Sequence, residues 1–192
     1  SGCYTTQSRI KLANRHTEAA LLDSERAAAL AHLALGSAFP AKRYERAWRE
    51  VLFTHFHDIL TGSCVQESRE YAMGCLSRAM ATAQTEQAKA YRALSEAVDT
   101  SMFPADDGIC RTRSEGAGAG YGISHCAGVP NPERGAGLTR VYTVFNPAPV
   151  DRREAVEITL WDYAGDTDRL IAEDHLGNAV SLQKLDAEPV WY

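Results

Sequence analysis

Residues 53–63 read Phe-Thr-His-Phe-His-Asp-Ile-Leu-Thr-Gly-Ser and set two imidazoles and a carboxylate inside an apolar run. An imidazole can ligate a metal or carry a proton near neutral pH, and a carboxylate beside it can orient the ring. Burying such groups among Phe, Ile and Leu is costly unless a metal, a partner charge or a ligand compensates. Spacing leaves the chemistry open. Consecutive helical residues diverge by about 100°, so His57 and Asp58 would hardly chelate one ion together. His55 with His57 lacks the i, i+4 spacing of a helical chelate. The pair is one donor of a distributed metal site, a general base with its orienter, or a structural pair.

Three textures along the chain indicate what positions these residues. Residues 7–100 are rich in Ala, Leu, Glu, Arg and Gln, all strong helix formers. Residues 101–137 are rich in Gly, Pro and Ser and read as a linker. From Leu138 onward, short β-branched and aromatic runs alternate with Pro, Asp and Gly, the pattern of strands. The expected domains are a bundle over 1–100, the linker, and the first strands of a β domain over 138–192. The expected fold is α+β: a three-helix bundle followed by the beginning of a β-sandwich.

The first helix places Ile10, Ala13, Thr17, Ala20, Leu21, Ser24, Ala28, Ala31 and Leu35 at steps of three and four, and Gly36-Ser37 ends it. The second begins at Pro40 and runs to about Leu60. The third runs from about Val65 to Val98, with Cys75, Leu76, Met80, Tyr91, Leu94 and Val98 facing inward. Up-down-up packing follows from the short connections. Strands are expected at Arg140–Phe145, Ala155–Trp161, Leu170–Glu173 and Val180–Leu185, with a hairpin turn at Asp174-His175-Leu176-Gly177-Asn178.

On a second helix continuous to Leu60, Tyr44, Trp48, Val51, His55 and Ile59 form the stripe that docks into the bundle. His57 then points about 200° from His55, onto a face shared with Phe53 and Leu60 or Thr61. A helix apolar on every side is covered on every side. A further element is therefore expected over His57 and Asp58. Asp58 near a helix C-terminus opposes the macrodipole and needs a compensating cation or ligand. His16 and His32 read as surface or bundle-edge residues, His125 as a linker residue and His175 as a turn residue.

Composition narrows the classes. The chain has 192 residues, 45% hydrophobic and 23% charged, with a formal net charge of −5 and a pI near 5.7. An acidic balance argues against a nucleic-acid or anionic-membrane partner. No apolar run approaches the roughly 20 residues needed to span a bilayer. Five cysteines (Cys3, Cys64, Cys75, Cys110, Cys126) without CxxC spacing read as free thiols in a reducing cytoplasm, and N-x-[ST] sequons are absent. The start at Ser1-Gly2-Cys3 and the apolar end Val190-Trp191-Tyr192 read as those of a piece of a longer chain.

His55-Phe56-His57-Asp58-Ile59-Leu60-Thr61-Gly62-Ser63 resembles the HD-x-x-x-G-[ST] helix end of the glycoside hydrolase family 38 α-mannosidases. Gly2-Cys3-Tyr4-Thr5-Thr6-Gln7-Ser8-Arg9-Ile10-Lys11, with Asn14-Arg15, looks like the lead into that family's middle helical domain. Val144-Phe145-Asn146-Pro147, with Arg152-Arg153 and Val156, looks like the start of its C-terminal β domain. The resemblance covers essentially the whole chain, in the family's order. It implies hydrolysis of α-mannosidic linkages with retention, through an aspartate nucleophile and an aspartate acid/base; retention needs two carboxyls about 5–5.5 Å apart. It also implies a zinc held by a histidine and two aspartates of an N-terminal catalytic domain and one middle-domain histidine. That histidine corresponds to His57, and the aspartate contacting a sugar hydroxyl corresponds to Asp58. Thr61-Gly62-Ser63 would form the tight turn after the site, with Gly62 at positive φ. The nucleophile, the acid/base, three metal ligands and an aromatic at the sugar site are then expected before Ser1 or Gly2. The chain alone is expected neither to hydrolyse mannosides nor to hold zinc tightly.

Two other classes compete. HD-type metal phosphohydrolases also use a His-Asp pair on a helix, and His32 and Asp99 could nominally join it, but no β domain is expected there. A helical scaffold carrying a β module that binds carbohydrate or a partner protein is the non-catalytic alternative.

Overall fold

The computed structural model describes residues 3, 5–103, 138–160, 163 and 165–185. The glycine-rich stretch read as a linker, with Cys110, Cys126 and His125, lies outside the described residues apart from 101–103. Contacts divide the chain into two units: Ser1–Asp99 with Thr143–Arg153, and Thr100–Tyr142 with Glu154–Tyr192.

The first unit is helical. Helix α1 (Ser8–Leu35) runs beside α4 (Gln66–Glu96), and α2 (Ala41–Thr54) packs on both, with a four-residue α3 (His57–Leu60) after it. At ~1.5 Å per residue, α1 and α4 are each over 40 Å long. Gly36 stops α1 at φ 69, its N–H donating to the His32 carbonyl at 2.9 Å. The inward face of α1 is Ile10, Asn14, Thr17, Leu21, Ser24, Ala27, Ala28 and Ala31. Ala13 and Ala20 lie at its margin and Leu35 is exposed. Cys75, Leu76 and Leu94 of α4 are buried as expected, whereas Val98 lies beyond the helix end and is exposed.

Much of the core is alanine: Ala27, Ala28, Ala31, Ala47, Ala79, Ala83 and Ala90, with Leu21, Tyr44, Val51, Leu76 and Leu94 between them. Small side chains let helices approach closely, at the short end of the usual ~8–10 Å. Polar groups caught inside are paired. Ser24 Oγ donates to the Ala83 carbonyl at 2.8 Å and sits 2.7 Å from the Tyr44 hydroxyl. Trp48, half-buried, donates from Nε1 to Glu25 at 3.1 Å. Phe145 stacks on Tyr91, centroids 5.3 Å apart. Asn146 closes the loop after it, donating to the Val150 carbonyl at 2.7 Å and accepting from the Ala148 N–H at 3.1 Å.

The second unit holds one described sheet, an antiparallel hairpin of β1 (Ala172–Glu173) and β2 (Ala179–Val180), paired Ala172 with Val180 and Glu173 with Ala179. Its turn is the expected one. Asp174 accepts from the N–H groups of Leu176 and Asn178 and from the Asn178 side chain, each at 2.9 Å, and Gly177 takes φ 81. Residues 140–145 and 155–160 are not strands in this structure, and Trp161 lies outside the described residues. A strand exists only with a ladder partner, and β propensity alone supplies none. Helices with a small sheet make the fold α+β. Among the described residues no helix is long and apolar enough to cross a membrane.

Candidate functional site

The helix expected to run unbroken from Pro40 to Leu60 is two helices. α2 ends at Thr54, His55 caps it at φ −74 and ψ −5, and Phe56 swings to φ −52, ψ 134 before α3 begins at His57. No Pro or Gly marks the break; tertiary hydrogen bonds hold it. Buried Thr54 donates its hydroxyl to the Val51 carbonyl at 2.7 Å and lies 3.2 Å from Asn14 Oδ1. His55 places Nε2 3.0 Å from Asn14 Oδ1 and 3.2 Å from Glu18 Oε1. A side chain that bonds back to its own helix's carbonyls competes with continuation of the helix.

The break corrects two inferences. The 200° separation of His55 and His57 assumed one continuous helix and does not apply across Phe56. Asp58 lies in the first turn of α3 rather than at the end of a long helix, so the macrodipole penalty does not arise.

The His57 side chain is 78% exposed and that of Asp58 58%, with His57 Nε2 3.5 Å from Asp58 Oδ2. The imidazole is outside the bundle core. Phe56 leans on it, centroids 4.4 Å apart, and Phe53 meets Tyr71 edge-on at 5.7 Å. Phe53, Phe56 and Tyr71 are themselves exposed. Within this chain the site residues are therefore not buried; Ile59, at 5% exposure, is what anchors α3 inward.

Beyond α3 the chain folds back on itself. Thr61 donates its hydroxyl to the His57 carbonyl, Ser63 donates to the Asp58 carbonyl at 3.3 Å, and the two hydroxyls lie 3.0 Å apart. Gly62 has the expected positive φ, 85. Its requirement is doubled by crowding, since a Cβ there would lie 2.6 Å from the Thr6 carbonyl oxygen and 2.9 Å from Gln7 Cβ. Gln7 itself caps α1 in the left-handed region, at φ 51. Lys11 Nζ donates to the carbonyls of Thr6 at 2.8 Å and Thr61 at 3.1 Å.

The structure thus brings His57 and Asp58 together and turns His55 away to α1. His16, His32 and His175 are exposed, and His32 Nδ1 contacts the Ser37 carbonyl at 2.7 Å. Among the described residues no group of three or more His, Cys, Asp or Glu side chains is placed to hold a metal, so His32 and Asp99 form no such group with His57 and Asp58. Sequence reasoning gave no role to Lys11, Asn14 or Glu18. Lys11 and Asn14 fell inside the quoted lead-in motif, which was the available signal. An exposed imidazole and carboxylate side by side can bind a metal or a polyol, but they do not make a pair of opposed catalytic carboxyls.

A family model described as the alpha mannosidase middle domain matches residues 1–94, spanning α1, α2, α3 and nearly all of α4. Residues 1–94, just under half of the 192-residue chain, are similar to that family. Alpha-mannosidase 2C1 of Homo sapiens is 44% identical over 75 residues, 38% of this chain and 7% of that protein. Its Mus musculus counterpart is 43% identical over the same length and coverage. An alpha-mannosidase of Saccharomyces cerevisiae is 35% identical over 72 residues, 36% of this chain and 7% of that protein. The chain therefore covers only a small part of each of these relatives. No solved structure matches it significantly. The likeness to glycoside hydrolase family 38 drawn from the His57–Ser63 motif is borne out.

Proposed function

We propose that this chain is the helical middle part of a retaining, zinc-dependent α-mannosidase that hydrolyses terminal α-mannosidic linkages. Residues from 138 onward then open a C-terminal β-sandwich. In this reading His57 gives one imidazole to the metal and Asp58 accepts a hydrogen bond from a sugar hydroxyl. The nucleophile and the acid/base come from a catalytic domain preceding these residues.

The observation that carries the reading is the placement of His57 and Asp58. They stand exposed on a four-residue helix whose inner side is anchored by Ile59, beside uncovered Phe53 and Phe56. The donor set suits a shared metal: one outward imidazole with a carboxylate 3.5 Å away, ready for ligands from another element. A zinc bound there would supply Lewis acidity toward sugar hydroxyls. This chain's residues would bind and orient the sugar. Free thiols at Cys3, Cys64 and Cys75 suit a cytoplasmic setting.

The test is His57→Ala in the gene product carrying this segment. Bound zinc, measured by plasma mass spectrometry, is expected to fall, and turnover of an aryl α-mannoside to drop by more than roughly 100-fold. Retained metal and activity would overturn the reading. The 192-residue chain alone, given zinc and the same substrate, is expected to show no turnover; ordinary enzymatic rates from it would refute the division of labour.

A further inference from the structure

A helix of four residues does not persist alone, because nucleation is barely repaid by so few hydrogen bonds. Something outside α3 must fix its direction, and with it the two site side chains. Lys11, Asn14 and Glu18 lie at i, i+3 and i+7, along one face of α1. Asn14 and Glu18 end on the break between α2 and α3, and Lys11 on the residue that caps α3.

Asn14 and Glu18 hold the start of the segment through His55, at 3.0 and 3.2 Å. Lys11 holds its end, donating at 3.1 Å to the carbonyl of Thr61, the C-terminal cap of α3. Helix C-termini leave carbonyls without partners, and an ammonium group is the favourable complement there. The same ammonium donates at 2.8 Å to the Thr6 carbonyl, in the lead-in turn that already touches Gly62.

We infer that Lys11 is a positioning residue: by tying the Thr6 and Thr61 carbonyls together it fixes the direction in which α3 presents His57 and Asp58. This rests on the reading of those two residues as the site. α3 is only about 6 Å long, so a tilt of roughly 10° pivoting at its C-terminal cap moves His57 by ~1 Å. Displacement of a ligand by ~1 Å can cost ~100-fold in rate.

Two measurements test it with Lys11→Met, which keeps the aliphatic stem and removes the donors, and Lys11→Arg, which keeps donors. On the 192-residue chain, ¹⁵N relaxation is expected to show order parameters at Ile59–Gly62 falling from about 0.85 toward 0.6 in Lys11→Met while α1 and α4 stay rigid, with Lys11→Arg close to the parent. In the gene product carrying the segment, kcat/KM for an aryl α-mannoside is expected to fall roughly 10- to 100-fold in Lys11→Met, with unchanged melting temperature and recovery in Lys11→Arg. Unchanged order parameters, or an arginine variant as impaired as methionine, would overturn the latch. Loosened amides with full activity would overturn the positioning role if His57→Ala is inactive. If His57→Ala is also fully active, the failure lies with the functional reading.

Discussion

Gly62 and Gly36 take similar left-handed conformations, φ 85 and 69, in different surroundings. A Cβ at Gly36 meets nothing within 4 Å. At Gly62 it would lie 2.6 Å from the Thr6 carbonyl oxygen, 2.9 Å from Gln7 Cβ and 3.1 Å from the Thr6 carbonyl carbon. Gly36→Ala therefore costs only the left-handed backbone, about 1–2 kcal/mol, partly offset by the stiffer unfolded chain. Gly62→Ala costs the same and adds a clash with backbone atoms that cannot rotate away. Overpacking of that kind costs roughly 1–3 kcal/mol. Urea unfolding followed by helical circular dichroism reads the difference: with m about 1–2 kcal/mol/M, a 2 kcal/mol gap separates the two midpoints by about 1–2 M. Coincident midpoints would refute the reasoning, because the lead-in turn would then be yielding to α3 at no cost.

Two further outcomes follow from the helical core. Tyr44 is buried, which raises its pKa despite the hydrogen bond with Ser24, and its hydroxyl donates to Ser24 Oγ while Ser24 donates to the Ala83 carbonyl. Tyr44→Phe is expected to destabilise by about 1 kcal/mol and Ser24→Ala by roughly 2, since the second leaves the Tyr44 hydroxyl buried without an acceptor while the Ala83 carbonyl, inside α4, keeps its helical N–H; equal urea midpoints would exclude the network. Burial alone would raise the pKa of Glu86, but hydrogen bonds from Lys89 and Arg43 outweigh it and hold the carboxylate below its ordinary 4.5. Its native form binds a proton less readily than its unfolded form, so the stability it adds is present above pH 4.5 and disappears as pH falls through the lowered native value. Melting temperatures between pH 7 and 3 should fall less steeply in Glu86→Gln than in the parent; identical slopes would rule this out.

Local chemistry in the sequence determined the helical content, the stop at Gly36, the turn at Asp174–Asn178 and the positive φ of Gly62, because periodicity, caps and turn residues act over a few positions. It also singled out His57 and Asp58, through a motif whose residue types are chemically unusual in an apolar run. Only the tertiary structure decided that α2 stops at Thr54. The residue types of Thr54-His55-Phe56 do not mark a break; the local bond from Thr54 to the Val51 carbonyl is joined by bonds to Asn14 and Glu18, some forty residues earlier. The grip of Lys11 on Thr61 was likewise invisible, since side-chain-to-carbonyl pairing across fifty residues leaves no periodic trace. Residues 140–145 and 155–160 show the complementary case: β propensity sets a preference for extended backbone, but a strand forms only where a ladder partner lies alongside.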